Sequence, residues 1–150
     1  MRAGAVLAIT ALTLAACAPG APKGVDKEKL DAAVSDAIGD PATCVMMAEA
    51  GSGKLVYRYN TATVCDRVLP SCEGAGQRKL KDLLDQVAKD GRRREESCNT
   101  TADASRGVSW LAAPTGRKDL VYAAVMEGAR TFPARMMADR LQPRLHDLGL

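Results

Sequence analysis

Apolar residues recur at helical spacing in three stretches of the chain. The first covers residues 26–38 and the second covers residues 77–90, where Gly91 follows at a position that favours glycine as a helix C-cap. The third is expected to begin near Pro133 and to bend at Pro143, which cannot donate a helical hydrogen bond. The positions predicted to face inward in this third helix are Met136, Met137, Leu141, Leu145 and Leu148.

Four other runs have the apolar and β-branched character of strands. Residues 43–49 and 54–59 are predicted to form one hairpin, and residues 107–113 and 119–127 a second. The last run is apolar on both faces, which suits the centre of a sheet. The pattern therefore predicts an α+β fold: a small four-stranded antiparallel sheet of two hairpins, with an N-terminal, a middle and a C-terminal helix packed on it.

Composition limits the function classes. The chain has 150 residues, 47% hydrophobic and 26% charged, which fits one globular domain and excludes intrinsic disorder. The net charge of +3 is too small and too evenly spread to indicate a nucleic-acid partner. The only histidine, His146, is expected at the surface, and no cofactor or metal site is expected.

The N-terminus has the pattern of a secretory signal peptide. Arg2 supplies an early positive charge, residues 5–14 form an apolar run too short to span a bilayer, and small residues follow. The segment Leu14-Ala15-Ala16-Cys17 then resembles the lipobox of bacterial lipoproteins. The resemblance implies removal of residues 1–16, acylation of Cys17 and anchoring in a lipid bilayer. The alternative is an ordinary secreted protein that is cleaved near Ala16, in which Cys17 is an unpaired thiol.

Residues 17–24 are interpreted as the lipidated cysteine and a flexible tether rich in proline and glycine, and residues 25–150 as the single domain. The residue after the cysteine is Ala18 rather than aspartate, which resembles lipoproteins that are sorted to the outer membrane. The chain is thus expected to be exported and lipid-anchored in the cell envelope, at the outer membrane facing the periplasm.

The number of cysteines agrees with an oxidising compartment. Of the five, Cys17 is assigned to lipid, and the remaining four have neither CxxC spacing nor a histidine that would indicate zinc. Three pairings of four cysteines are possible. The favoured pairing is Cys44 with Cys65 and Cys72 with Cys98. The first bond would connect the first strand to the end of the second, and the second bond would close a loop around the middle helix.

One cluster of basic residues lies after the middle helix. It consists of Lys89 and residues 92–94, and acidic residues are interleaved with it. A solvated loop is the favoured interpretation, and a weak contact with anionic lipid headgroups is the alternative.

Three parts of the domain together match the pattern of a known fold. They are residues 53–60 with the following Leu69-Pro70-Ser71, residues 109–114 with 119–127, and the helix at each chain end. This arrangement resembles the α/β half of penicillin-binding proteins and serine β-lactamases. The resemblance implies a sheet of related form and a nucleophile at Ser71.

The catalytic pattern of that family is not matched. Its serine is followed three residues later by a lysine, whereas Ser71 is followed by Gly74, and the nearest counterpart of its Lys-Thr-Gly is Ser105-Arg106-Gly107. We therefore expect no enzymatic activity and interpret the chain as an envelope lipoprotein whose domain binds an envelope protein or a cell-wall ligand. The alternative is a diverged domain that retains ligand binding or weak acyl transfer at Ser71, Ser105 and Arg106.

Overall fold

The computed structural model describes residues 19–150. The described chain folds into four helices and seven strands. The helices are α1 (Lys27–Ile38), α2 (Ala62–Cys65), α3 (Leu80–Asp90) and α4 (Ala134–Asp147). The strands are β1 (Cys44–Glu49), β2 (Leu55–Tyr59), β3 (Leu69–Pro70), β4 (Gln77–Arg78), β5 (Arg94–Asn99), β6 (Gly107–Pro114) and β7 (Leu120–Gly128).

The α+β class is confirmed, but the predicted strand count is wrong. Five antiparallel strands form the main sheet in the order β2-β1-β7-β6-β5, and β3 with β4 forms a separate two-stranded ribbon. Both expected hairpins are present, and β7 lies at the centre as its apolar sequence predicts. The two hairpins meet through β1 and β7, where Cys44 pairs with Val125 and Glu49 with Leu120.

The missed strand, β5, is polar because of its position. It lies at the edge of the sheet, and its partly buried residues are Arg94, Glu96 and Cys98 rather than aliphatic side chains. Glu96 pairs with Arg78 of the ribbon at 2.6 Å, with both side chains nearly buried. The Arg78 guanidinium also lies 4.7 Å from the centre of the Trp110 ring. A strand stabilised by an ion pair and a disulfide has no apolar alternation to detect.

Helices cover both faces of the sheet. α1 and α4 pack on one face around Met47, Tyr57 and Leu111, while α3 packs on the other against Met46 and Trp110. The Tyr57 hydroxyl donates to Asp31 of α1 at 2.8 Å, and burial followed by this carboxylate raises the pKa of Tyr57. The N- and C-terminal helices therefore share a face, and the middle helix has the opposite face.

Two helices differ from the prediction in detail. α3 begins at Leu80 because Gln77 and Arg78 pair with β3 instead, and Gly91 caps the helix with a left-handed φ of 65°. In α4 the residues Met137, Leu141 and Leu145 are buried as expected, but Met136 is 43% exposed and Leu148 is only half-buried. The buried face of α4 thus contains fewer residues than predicted.

The strand directions give the molecule two distinct ends. We call one the hairpin end: it contains the β1–β2 loop (50–54), the β6–β7 loop (115–119), residues 91–93, the start of α1 and the end of α4. The other, the cleft end, contains the α1–β1 loop (39–43), the β5–β6 loop (100–106) and the β7–α4 loop (129–133).

Candidate functional site

Four adjoining cavities follow one another across the cleft end. One of about 290 Å³ lies between β5, β6 and the start of α4, and Ser97, Arg106 and Thr131 contribute to its wall. A second of about 270 Å³ shares Arg106 and Thr131 with it and extends to Asp40. Two more, of about 500 and 440 Å³, continue past Asp40 to Asn60 at the end of β2. We call this continuous feature the cleft.

Glu127 is the central charge of the cleft. Its side chain is 10% exposed and lies between Arg67 and Arg106, each at 2.8 Å from one carboxylate oxygen. Burial alone would raise the pKa of Glu127, but the hydrogen bonds from both arginines outweigh it and hold the pKa below its usual value. Sequence reasoning missed Glu127; its signal is that it is the first charged residue after the apolar run of β7.

A hydroxyl network forms the inner wall of the first cavity. Ser109 is buried and donates to the Ser97 oxygen at 2.9 Å, and the backbone N–H of Ala134 donates to the same oxygen at 2.8 Å. Ser97 accepts both bonds, which leaves its own proton for a third partner. The Thr131 hydroxyl lies 3.0 Å from the carbonyl oxygens of both Gly107 and Gly128, which share its one proton, and it thereby links the paired ends of β6 and β7.

Both disulfides lie at the cleft end. Cys44 at the start of β1 is bonded to Cys65 of α2, and Cys72 is bonded to Cys98 of β5, with Cα separations of 5.3 and 5.5 Å. This is the pairing that the sequence favours. Cys98 also lines the first cavity, so the second disulfide holds part of the cleft wall against the loop that contains Ser71.

Ser71 belongs to the tight connection between β3 and β4. Its oxygen accepts from the N–H of Glu73 at 3.3 Å, its hydroxyl donates to the Glu73 carbonyl at 3.4 Å, and its own N–H donates to Gly76. Gly74, at the position where the resembling family has a lysine, has a left-handed φ of 75°. The Ser71 hydroxyl therefore stabilises a turn, and Ser71 does not line the cleft.

Ser105 and Arg106 do lie in the cleft wall. The Ser105 hydroxyl donates to Asp103 at 2.7 Å, and hydrogen bonds from Ser105 and then Thr101 lower the pKa of Asp103 to about 2. A carboxylate of such low pKa is a poor general base at neutral pH. The Arg106 guanidinium forms an ion pair with Glu127. The structure thus brings Ser105 and Arg106 together and leaves Ser71 apart from them.

Cys17 lies outside the described residues, but the segment that follows it contacts the hairpin end. Pro22 is buried, Val25 packs against the core, and the carbonyl of Lys23 accepts from the Arg117 guanidinium at 2.9 Å. Since Arg117 belongs to the β6–β7 loop, the segment before α1 joins the domain at the hairpin end, opposite to the cleft.

Other chemistry expected or excluded by the sequence can be located too. His146 is exposed in the last turn of α4, beside a cavity of about 250 Å³ at the hairpin end. Within residues 19–150, no group of three or more histidine, cysteine, aspartate or glutamate side chains could hold a metal ion. None of the described helices has the length and apolar character needed to cross a membrane.

Comparisons of the chain with protein-family models, curated proteins and solved structures find no match.

Proposed function

We propose that the protein is an exported lipoprotein, anchored through acylated Cys17 at the outer membrane and facing the periplasm, whose domain binds a ligand in the cleft without catalysis. The observation that carries the proposal is the state of the cysteines. All four that follow Cys17 are bonded to one another, so the lipobox-like cysteine is the one left for lipid. Such pairing is typical of proteins that fold in an oxidising compartment.

The absence of catalysis is supported by the serines that the sequence singled out. Ser71 has backbone partners and no lysine three residues on. The Ser105 hydroxyl contacts Asp103, a carboxylate of low pKa, and the Thr101 hydroxyl. Neither has the neighbouring amine or imidazole that activates a serine nucleophile.

The shape and polarity of the cleft favour an extended polar ligand. The cavities run from the end of β5 to the end of β2, and hydroxyl, carboxylate and guanidinium groups line them. Both disulfides and the Glu127 ion pairs fix the wall before any ligand arrives, which reduces the entropy lost on binding. An envelope protein segment or a cell-wall polymer has this form.

The anchor is tested by metabolic labelling with a fatty acid. The wild type and an Ala18→Ser control should incorporate label, and Cys17→Ser should incorporate none, because the acyl chains are attached to the Cys17 residue. Retention of label in Cys17→Ser overturns the anchor.

The binding role is tested by sedimentation of the protein with isolated cell walls and by affinity capture with envelope proteins. Arg130 lines the cleft and is exposed, so Arg130→Ala should weaken binding several-fold, whereas Arg144→Ala at the hairpin end is the matched control. Equal binding by both variants contradicts a role for the cleft.

Labelled penicillin tests the acyl-transfer alternative. We expect no labelling of folded protein. Stoichiometric labelling that is lost in Ser71→Ala or Ser105→Ala would favour the diverged enzyme over the binding protein.

A further inference from the structure

The hairpin end collects exposed cations from segments that are far apart in sequence. Backbone hydrogen bonds join these segments: Ala50 donates to the Asp119 carbonyl at 2.9 Å, and Gly51 donates to the Ala88 carbonyl at 2.7 Å. The Arg117 bond to Lys23 adds the start of the domain to the same surface. Its lysines and arginines are Lys23, Lys27, Lys29, Lys54, Lys89, Arg92, Arg93, Arg94, Arg117, Lys118 and Arg144, of which Lys27 pairs with Asp31.

The carboxylates at this end neutralise only some of these cations. Asp90 pairs with Arg94, Glu95 with Arg93, Asp119 with Arg117, and Glu49 with Lys54. Among residues 19–150, six exposed cations of this end have no ion-pair partner: Lys23, Lys29, Lys89, Arg92, Lys118 and Arg144. Three exposed carboxylates of this end, Asp26, Glu28 and Asp147, have no ion-pair partner either, which leaves the cations in excess. The surface is therefore basic after its internal pairs are formed.

The chain leaves the domain at this same basic surface. Pro22, which is buried, is five positions after Cys17, and a fully extended chain spans at most about 3.5 Å per residue, or roughly 17 Å. The nine residues of β7 extend over roughly 30 Å at about 3.3 Å per residue. A lipid attached at Cys17 thus holds the bilayer near the hairpin end, and its reach is shorter than the sheet.

We propose that the hairpin end is a docking surface for the anionic headgroups of the bilayer to which the chain is anchored. The exposed cations then lie within a Debye length of the headgroup charge, where each lysine or arginine contributes to attachment. The acyl anchor and the basic surface together orient the domain so that the cleft faces away from the membrane. This inference rests on the proposed acylation of Cys17 and adds the orientation that acylation alone does not determine.

The cleft end does not compete for the same contact. Arg67 and Arg106 share the nearly buried carboxylate of Glu127. The exposed Arg130 and Arg135 of this end are offset by Asp40, Asp66 and Asp103. Its charges are close to balanced, so an anionic surface attracts the hairpin end more strongly.

The test uses the full acylated protein reconstituted into two kinds of vesicle, phosphatidylcholine alone and phosphatidylcholine with phosphatidylglycerol. A membrane-impermeant amine reagent followed by mass spectrometry measures the labelling rate of each lysine. Lys23, Lys89 and Lys118 should label more slowly on the anionic vesicles than on the neutral ones. Lys79, at the opposite end of α3, should label equally on both.

A pair of charge-reversal variants separates the surface from a general charge effect. Arg92→Glu with Lys118→Glu should weaken the protection of Lys23 and Lys89, by about five-fold for each cation reversed. Arg130→Glu with Arg135→Glu, at the cleft end, is the matched control and should leave that protection unchanged. Equal labelling on both vesicles, or equal effects of the two variants, overturns the inference.

Flotation of the same samples tests the proposed orientation separately from the proposed acylation of Cys17. Protein that floats with neutral vesicles, but whose lysines show no difference in labelling, retains the anchor and refutes the orientation. Protein that floats with neither vesicle refutes the anchor and the orientation together.

Discussion

The two ends of the sheet hold their loops in different ways. At the cleft end, two disulfides and a nearly buried carboxylate between two partly exposed arginines fix the loops, and these charges neutralise one another. At the hairpin end, backbone hydrogen bonds and exposed ion pairs join the loops, and several cations face solvent. One end is thus held by covalent bonds and shared charges, whereas the other presents unpaired cations to solvent.

The largest expected effect is at the covalent links of the cleft end. Cys72→Ala with Cys98→Ala should lower the free energy of unfolding by about 3 kcal/mol, because the unfolded chain loses a closed loop around α3. Urea denaturation measures this loss. Hydrogen exchange should also become faster in residues 99–107 and stay unchanged in residues 115–120; equal acceleration at both ends would contradict the comparison.

Ion pairs made by a nearly buried carboxylate should stabilise the fold more than an ion pair of two exposed side chains. Glu127→Gln removes the charge shared by Arg67 and Arg106 and should cost about 1.5–3 kcal/mol, as for hydrogen bonds between charged groups. Glu49→Gln at the hairpin end, opposite Lys54 at 3.7 Å, is the matched control and should cost less than about 0.5 kcal/mol. Similar losses in thermal or urea unfolding would show that burial at the cleft end adds nothing.

The Glu127 effect should depend on pH in a defined direction. Folding lowers the pKa of Glu127, so its stabilisation is fully present above the unfolded pKa of about 4.3 and is lost as pH falls through the lower folded pKa. The difference in unfolding free energy between wild type and Glu127→Gln should therefore shrink below that value. A difference that stays constant down to acid pH would exclude the assigned ion pairs as its source.

A smaller effect is expected in the hydroxyl network of the cleft wall. Ser97→Ala leaves the Ser109 hydroxyl and the Ala134 N–H without their acceptor and should cost about 1 kcal/mol. Exchange of the first amides of α4 should become faster. Ser52→Ala, in an exposed loop of the hairpin end, is the control and should leave stability nearly unchanged.

The smallest effect on stability is expected at the hairpin end itself. Arg117→Ala removes the bond that holds the Lys23 carbonyl and should leave unfolding almost unchanged, because the side chain ends at the surface. Trypsin should nevertheless cleave after Lys23 a few times faster, while cleavage after Lys54 in the neighbouring loop stays the same. Unchanged cleavage after Lys23 would show that Pro22 alone holds the segment.

The apolar elements of the fold could be predicted from the sequence, and the polar ones could not. Four strands and three helices have the period of their secondary structure because one or both faces pack in the core. β5 has no such signal, since Glu96 and Cys98 obtain their partners, Arg78 and Cys72, only in the folded chain. The spacing of apolar residues in α4 predicts Met136 to face the core. It is exposed instead, because the face of α4 that packs on the sheet does not extend to this residue.

The site was predictable only in part for the same reason. Ser105 and Arg106 were singled out by a resemblance, and both line the cleft. Glu127 and Arg67 are 60 residues apart in sequence, and nothing local indicates that they meet. The wall-forming hydroxyl pair joins β5 to β6 and α4, so it depends on the strand that the pattern did not show.

The pairing of β1 with β7 also determines when the fold can be completed. Cys44 lies opposite Val125, so the central pairing of the sheet joins residues about 80 positions apart, a contact of high sequence separation that slows folding. In the proposed export, a chain that crosses the membrane N-terminus first would expose one edge of the β1–β2 hairpin until β7 has followed. The Cys44–Cys65 bond lies within that early segment, so it would hold the hairpin to α2 before β7 pairs.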